Sequence, residues 1–383
     1  MGRARGQRLG AGLFGAAGTT EIDGAAGAPY EAGMTRFPAS LSLIAALAAT
    51  AAAASEAAPE AILQGGNGIY RVFVGDVTPA TRCGAWTATT GPLHPAGPGR
   101  DVVWGGGAPL SSYTTLRSHQ TGIDYTTGGV SGCTTLCSVV APAVEALENA
   151  GQTVGFRFTW TFADDPGPEV ELVQEIVVEG PVDGSETVDS SVVRETHVVR
   201  NLGPGGFRFG LRKMWDLAID ADDGPWLGSC AAPDEACDRG LNRGRVGRLA
   251  YPASVVVTDD PAAAVCPDGV DPNTPRGCGG SPSYVVAATV APPHALLPPP
   301  APPDVLQFSA WSNLFGDCWF PAPADAATCD ANGFPTDDTA LAYFYGLTPL
   351  RAVRLVAGAS ASFTQYLGAG LSDCPSIITG ERE

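Results

Sequence analysis

Apolar and polar residues alternate strictly from 154 to 162. Val154, Phe156, Phe158, Trp160 and Phe162 share one phase, and Arg157, Thr159 and Thr161 take the other. A period of two belongs to a strand with one buried and one solvated face. The turn Asp164-Asp165-Pro166-Gly167 leads into 169–179, where Val170, Leu172, Ile176 and Val178 alternate with Glu169, Glu171, Glu175 and Glu179. After Pro181-Val182-Asp183-Gly184, residues 188–200 are apolar in both phases, which predicts a central strand. Asn201 to Gly205 then turns the chain into a fourth strand over 206–217. Consecutive strands joined by short turns predict an antiparallel meander.

A second strand-rich block spans 305–366, with Trp311, Trp319, a loop around Cys329, and strands near 340–345 and 359–367. Between the blocks, 228–304 reads as an irregular, cysteine-held excursion ending in a Pro-rich run. One short helix is predicted over 140–150 (VAPAVEALENA). Two strand blocks punctuated by Gly and Pro predict an all-β fold, an antiparallel β-sandwich with long disulfide-held loops. The 49 Gly and 33 Pro among 383 residues serve those turns.

The N-terminus changes the boundaries. Arg36 precedes an apolar run, Leu41 to Ala54, that ends in small residues, so 34–54 reads as a secretory signal peptide beginning at Met34. Residues 1–33 read as an upstream extension, and 55–383 as a single sandwich domain. Setting 1–54 aside takes the net charge from −18 to −19. An acidic chain repels phosphates, which excludes nucleic acid as a partner. No later segment spans a membrane as a helix, because the most apolar one, 284–303, is broken by seven prolines. The expected location is secreted, periplasmic or cell-surface.

All ten cysteines lie beyond the leader: Cys83, Cys133, Cys137, Cys230, Cys237, Cys266, Cys278, Cys318, Cys329 and Cys374. An even count behind a signal peptide reads as five disulfides rather than a zinc site, since no second close pair or nearby His accompanies Cys133-x3-Cys137. Connectivity is not deducible from spacing. Local bridges are attractive at 133–137, 230–237, 266–278 and 318–329, which would leave 83 with 374.

The segments together resemble a group of bacterial secreted proteins related to the galactose-mutarotase-like β-supersandwich. The resemblance rests on Gly75-Asp76, Trp86-Thr87-Ala88-Thr89-Thr90-Gly91, Ser112-Tyr113-Thr114-Thr115-Leu116-Arg117, and the run Val199-Arg200-Asn201 through Gly210-Leu211-Arg212 to Asp222-Asp223-Gly224. It continues in Asp338-Thr339-Ala340-Leu341-Ala342 and Tyr366-Leu367-Gly368. It implies a supersandwich fold. Mutarotase-type enzymes use a His and a carboxylate on a concave sheet face. That pair does not map here by motif, so no epimerase activity is carried over.

Four groups of residues could carry chemistry. His197 and Glu195 alternate onto one face of the central strand, a geometry compatible with general acid–base catalysis or with a hydrogen-bonded structural role. Arg208, Arg212 and Asp216 share one phase of the fourth strand, suited to sugar hydroxyls or to a cross-strand ion pair. Lys213, the only lysine, takes the opposite, inward phase. Asp216, Asp220, Asp222 and Asp223 could converge on Ca²⁺ or serve a turn, and no other cofactor is implied. Trp226, Trp311 and Trp319 could stack on sugar rings or belong to the core.

Gly-x-Ser-x-Gly and phosphate-cradling Gly motifs are absent. The leading expectation is a non-catalytic extracellular module that binds glycan or another surface polymer. The alternatives are a carbohydrate-active enzyme, epimerase- or lyase-like, and a purely structural envelope protein.

Overall fold

The computed structural model describes residues 62–75, 83–105, 111–128, 130, 132–220, 226–229, 245–247, 254–258, 285–289, 296–315, 317–321 and 339–368. The leader, 1–54, and six of the cysteines lie outside these residues.

The described chain opens with β1 (Ile62–Gly66), β2 (Tyr70–Gly75), β3 (Trp86–Thr90), β4 (Asp101–Val103) and β5 (Tyr113–Ser118). Short β6 (Asp124–Thr126), β7 (Thr134–Thr135) and helix α1 (Leu136–Val139) follow, then the meander β8 (Ala143–Asn149), β9 (Gln152–Ala163), β10 (Glu169–Glu179) and β11 (Val192–Asn201). β12 (Phe207–Asp220) crosses to the other sheet. After it come β13 (Trp226–Ser229), β14 (Arg245–Gly247), β15 (Ser254–Thr258), β16 (Val285–Thr289), β17 (Val305–Ala310) and α2 (Trp311–Phe315). The chain ends in β18 (Thr339–Tyr345), β19 (Val353–Leu355) and β20 (Ser360–Gly368).

These strands build two sheets packed as a sandwich. The larger has twelve strands, with a main path β1-β2-β3-β4-β12-β18-β17-β14 and with β5 and β19 also paired to β12. The smaller has eight, ordered β13-β15-β16-β20-β11-β10-β9-β8. Strand β11 is central as predicted, lying between β10 and β20, with valines in both phases at 192, 193, 198 and 199 and polar residues between them.

The alternation read from sequence sets the facing. Phe156, Phe158, Trp160 and Phe162 of β9 and Val170, Leu172, Ile176 and Val178 of β10 all enter the core. Across from them, β12 contributes Phe207, Phe209, Leu211, Trp215 and Leu217. Gly84 sits under this layer at φ +82°, where a Cβ would meet Gln174 Oε1 at 2.6 Å and the Trp160 ring at 2.9 Å. Any side chain there would push the two apart.

Three expectations are corrected. The segment predicted helical over 140–150 is mostly the edge strand β8, paired antiparallel to β9 through a turn at Ala150 and Gly151, both at positive φ. Ala, Leu and Glu are good helix formers, but the differences amount to only a few tenths of a kcal/mol per residue, and a tight hairpin to an adjacent strand outweighs them. The helix present is the single turn α1, just upstream. Within 228–304, the described residues include β14, β15, β16 and the second half of β13, all joined to the sheets rather than irregular.

The cysteines are the third correction. Cys83 pairs with Cys137 (Cα–Cα 6.0 Å) and Cys133 with Cys318 (6.1 Å), so bridges 133–137, 318–329 and 83–374 do not form. Nearness in sequence is a poor guide once a sheet places distant turns together. The pairs 230–237 and 266–278 lie outside the described residues.

Candidate functional site

Glu195 and His197, the candidate acid–base pair, lie between the sheets. Residues 193, 195, 197 and 199 of β11 share one phase, and it faces the core, so Glu195 and His197 enter it beside Val193 and Val199. Glu195 is 1% exposed and His197 is fully buried. Two indoles and an amide converge on the Glu195 carboxylate: Trp86 Nε1 donates to Oε1 at 3.1 Å, Gln174 Nε2 to Oε1 at 3.1 Å, and Trp215 Nε1 to Oε2 at 2.6 Å. Lys213, inward as its phase predicted, donates through Nζ to the Glu195 carbonyl at 3.0 Å and stands 3.5 Å from Oε2. A buried charge is tolerated only when paired and hydrogen-bonded, and this one is both. His197 Nε2 lies 3.8 Å from Glu195 Oε1, and neither ring nitrogen makes a hydrogen bond. Glu195 thus joins β3 and β12 of the larger sheet to β10 and β11 of the smaller.

Burial governs titration here. It holds the His197 imidazole well below its ordinary 6.5, with the Lys213 charge adding to the effect. Burial, helped by Arg100, also lowers His94 to about 4. Burial lowers Lys213 to about 8 against the opposing Glu195 charge. The unfolded chain therefore binds protons near pH 6.5 that the folded chain refuses. The histidine contribution to stability is complete above that pH and declines as pH falls below it. The loss is up to about 1.4 kcal/mol per pH unit for each histidine. Urea titrations between pH 7.5 and 5 should show falling stability, with a shallower slope in His197→Asn. Equal slopes would mean that His197 takes up a proton in the folded state.

The second site lies on the opposite face of β12, turned away from the smaller sheet. Arg212 is fully buried there rather than facing water. Its guanidinium donates to the carbonyls of Leu314 and Asp317 and stands 5.8 Å and 5.5 Å from the Tyr113 and Phe344 ring centroids. Arg212 therefore anchors α2 and the following turn, and the expected solvent-facing ion pair is replaced by a capped cation. Asp216 is buried on the same face, its amide donating to Ser112 Oγ at 2.9 Å. Arg208, nearer the surface, donates to the Pro349 carbonyl.

The turn that Arg212 anchors presents an aromatic shelf. Asp317 Oδ1 accepts the amides of Trp319 at 2.7 Å and Phe320 at 2.6 Å, an Asx turn that fixes both backbones. Cys318 ties the turn to Cys133. Trp319 is fully buried, its ring over Gly210, where a Cβ would meet it at 2.2 Å. Phe320 is left 55% exposed, with the Arg117 guanidinium 5.0 Å from its ring centroid. Arg117 Nη1 reaches both Asp124 oxygens, at 3.0 and 2.8 Å, while Nε and Nη2 make no hydrogen bond. Burial raises the Asp124 pKa and Arg117 opposes the rise. Of the tryptophans expected to stack on sugars, Trp319 is core and Trp311 is half-buried, stacked on Phe315 at 4.2 Å.

The side chains of Asp220 and Trp226, with Asp222 and Asp223, lie outside the described residues, as do the calcium and sugar-stacking readings that rest on them. Among the described residues no group of three or more metal-ligating side chains converges. Sequence reasoning missed Phe320, Arg117 and Asp124. Arg117 and Asp124 do stand in the outward phase of β5 and β6, a signal that was available. Gln174 was missed because it interrupts an otherwise apolar phase.

No protein-family model matches the chain, and no curated protein matches it. Among solved structures it is similar to a putative aldose 1-epimerase from Escherichia coli K12, at 10% identity and a TM-score of 0.37, over 81% of this chain and 98% of that one. It is similar to a galactose mutarotase related enzyme from Lactobacillus acidophilus (8% identity, TM-score 0.39, 80% and 97% covered). It is likewise similar to the GalM/aldose epimerase homologue from C. elegans (11% identity, TM-score 0.39, 81% and 98% covered). No residue role passes from those structures to this chain.

Proposed function

We propose that this protein is an exported, non-catalytic binding module that takes a glycan or another hydroxyl-rich surface polymer on the outer face of its larger sheet. The observation that carries this reading is Phe320. A large apolar ring held 55% exposed by an Asx turn and a disulfide, beside an Arg with two free N–H edges, is built for contact. An apolar ring face suits the C–H face of a sugar, and the free edges of Arg117 together with Asp124 suit its hydroxyls. Two disulfides among the described residues support folding in an oxidising compartment, in keeping with the signal peptide read at 34–54.

The enzymatic alternative would have a substrate reach Glu195 and His197 through closed, apolar sheet faces, which counts against it. The test is a glycan array probed with the mature protein and with Phe320→Ala, each with and without EDTA. Phe320→Ala should weaken the best-bound glycan about tenfold or more while shifting Tm little, because the ring is exposed. Equal binding by the variant would overturn the placement. Absence of binding under every condition would remove the glycan reading. Insensitivity to EDTA would remove calcium from it.

A further inference from the structure

A second site lies away from the shelf, where the β1–β2 turn meets the small sheet. A groove of about 540 Å³ opens there, lined by Gln64, Arg71, Leu93, Thr153 and Glu186 over a glycine floor at Gly65, Gly66 and Gly68. Its size falls within the ~300–1,000 Å³ of small-molecule sites.

The walls are pre-formed. Asn67 Nδ2 donates to Ser191 Oγ at 2.9 Å and to the Pro181 carbonyl at 3.2 Å, which ties the β10–β11 connection to the β1–β2 turn. Asn67 Oδ1 accepts the amides of Ile69 and Tyr70 at 2.9 and 3.0 Å, closing the turn itself. Gln152 Nε2 donates to the Gly66 carbonyl at 2.7 Å and fixes the β8–β9 turn on the other side.

What the groove lacks is internal satisfaction. Glu186 Oε2 is buried and makes no hydrogen bond, and among the described residues the Arg71 side chain, on a strand paired through its backbone to β1 and β3, makes neither a hydrogen bond nor an ion pair. Elsewhere on this surface, Arg–carboxylate pairs form readily: Arg117–Asp124, Arg157–Glu175, Arg194–Glu179 and Arg200–Glu171. A desolvated carboxylate oxygen with no donor is costly, and Arg71, which lines the same groove, makes no ion pair with it.

We infer that Arg71 and Glu186 form a binding site for a small zwitterion of the amino-acid or short-peptide class. The ligand carboxylate would take the Arg71 guanidinium, and its ammonium would take the Glu186 carboxylate through Oε1, the oxygen not closed off in the wall. Gln64 and Thr153 would supply neutral hydrogen bonds, and Leu93, 50% exposed, an apolar contact. A neutral polyol would leave both charges uncompensated, whereas a zwitterion neutralises each.

The inference does not depend on the glycan reading, since it uses no residue of the Phe320 shelf. The test is calorimetric titration of the full mature protein with trialanine, with N-acetyl-trialanine amide, and with a neutral trisaccharide. Trialanine should bind, the capped peptide should bind about tenfold or more weakly, and Arg71→Ala and Glu186→Gln should each cost about tenfold. Phe320→Ala should leave trialanine binding unchanged. Thermal melts of each variant guard against misfolding, with Arg71→Lys and Glu186→Asp as charge-keeping substitutes. Equal binding of capped and free peptide, a preference for the trisaccharide, or no heat with any probe would each overturn the site.

Discussion

Replacing Glu195 with alanine should destabilise the fold by about 3–5 kcal/mol, the cost of breaking a buried charged pair by removing one partner. The magnitude follows from what is stranded. The indole N–H groups of Trp86 and Trp215, the Gln174 amide and the Lys213 ammonium all lose their shared acceptor at once. None can turn to water, because Trp86, Gln174 and Lys213 are fully buried and Trp215 is 1% exposed. Glu195→Gln is the informative companion. It keeps an acceptor oxygen while removing the charge, so its loss should be smaller, and Lys213 should titrate lower without its counter-charge. Urea unfolding with matched m-values checks both variants. A loss under about 1 kcal/mol for Glu195→Ala would mean that water enters the cluster and that the sheets are not sealed there.

Opening the Cys133–Cys318 bridge, as Cys133→Ser/Cys318→Ser, should cost stability and glycan binding together. In the chain-entropy picture a bridge restrains the unfolded chain more as the closed loop lengthens. This bridge spans a sequence separation of 185 against 54 for Cys83–Cys137. It should contribute about 2–5 kcal/mol, and roughly 1 kcal/mol more than the shorter bridge. The functional consequence is specific, because Cys318 sits between Asp317 and Trp319 in the turn that presents Phe320. Freed of the bridge, that turn keeps its Asx hydrogen bonds and the Arg212 contacts but loses its covalent tie to the β6–β7 connection. Array binding should fall at least as far as in Phe320→Ala, while the Cys83→Ser/Cys137→Ser variant should lose stability and keep binding. If the two double variants lose binding equally, the bridge acts only through global stability.

The acidic excess also narrows in meaning. On the outward strand faces of the small sheet the acids are balanced, since Glu175 meets Arg157 and Arg194, and Glu171 meets Arg200, so the excess is carried elsewhere. Hydrogen bonds and charge from Arg157 and Arg194 hold the Glu175 pKa below its ordinary value despite the burial that pushes it upward. These cross-strand pairs each contribute only modestly. They keep the outer face of the small sheet solvated and leave the larger sheet to carry the shelf.

Local alternation by itself determined that β9, β10, β11 and β12 are strands, which phase of β9, β10 and β12 enters the space between the sheets, and that β11 is central; it missed β8 and the strands within 228–304. Period two is a property of neighbouring residues and needs no knowledge of the fold. It also placed Lys213 inward and Arg208, Arg212 and Asp216 outward. What the tertiary structure alone decided are the meetings between phases. Glu195 and Lys213 are 18 residues apart in sequence, yet they touch because one strand belongs to each sheet. Arg212 is capped because α2 and its turn fold back across more than a hundred residues. Cys133 finds Cys318 rather than Cys137 for the same reason. Such contacts depend on strand order and sheet packing, which arise from long-range burial of apolar surface and leave no mark on the spacing of the residues that take part.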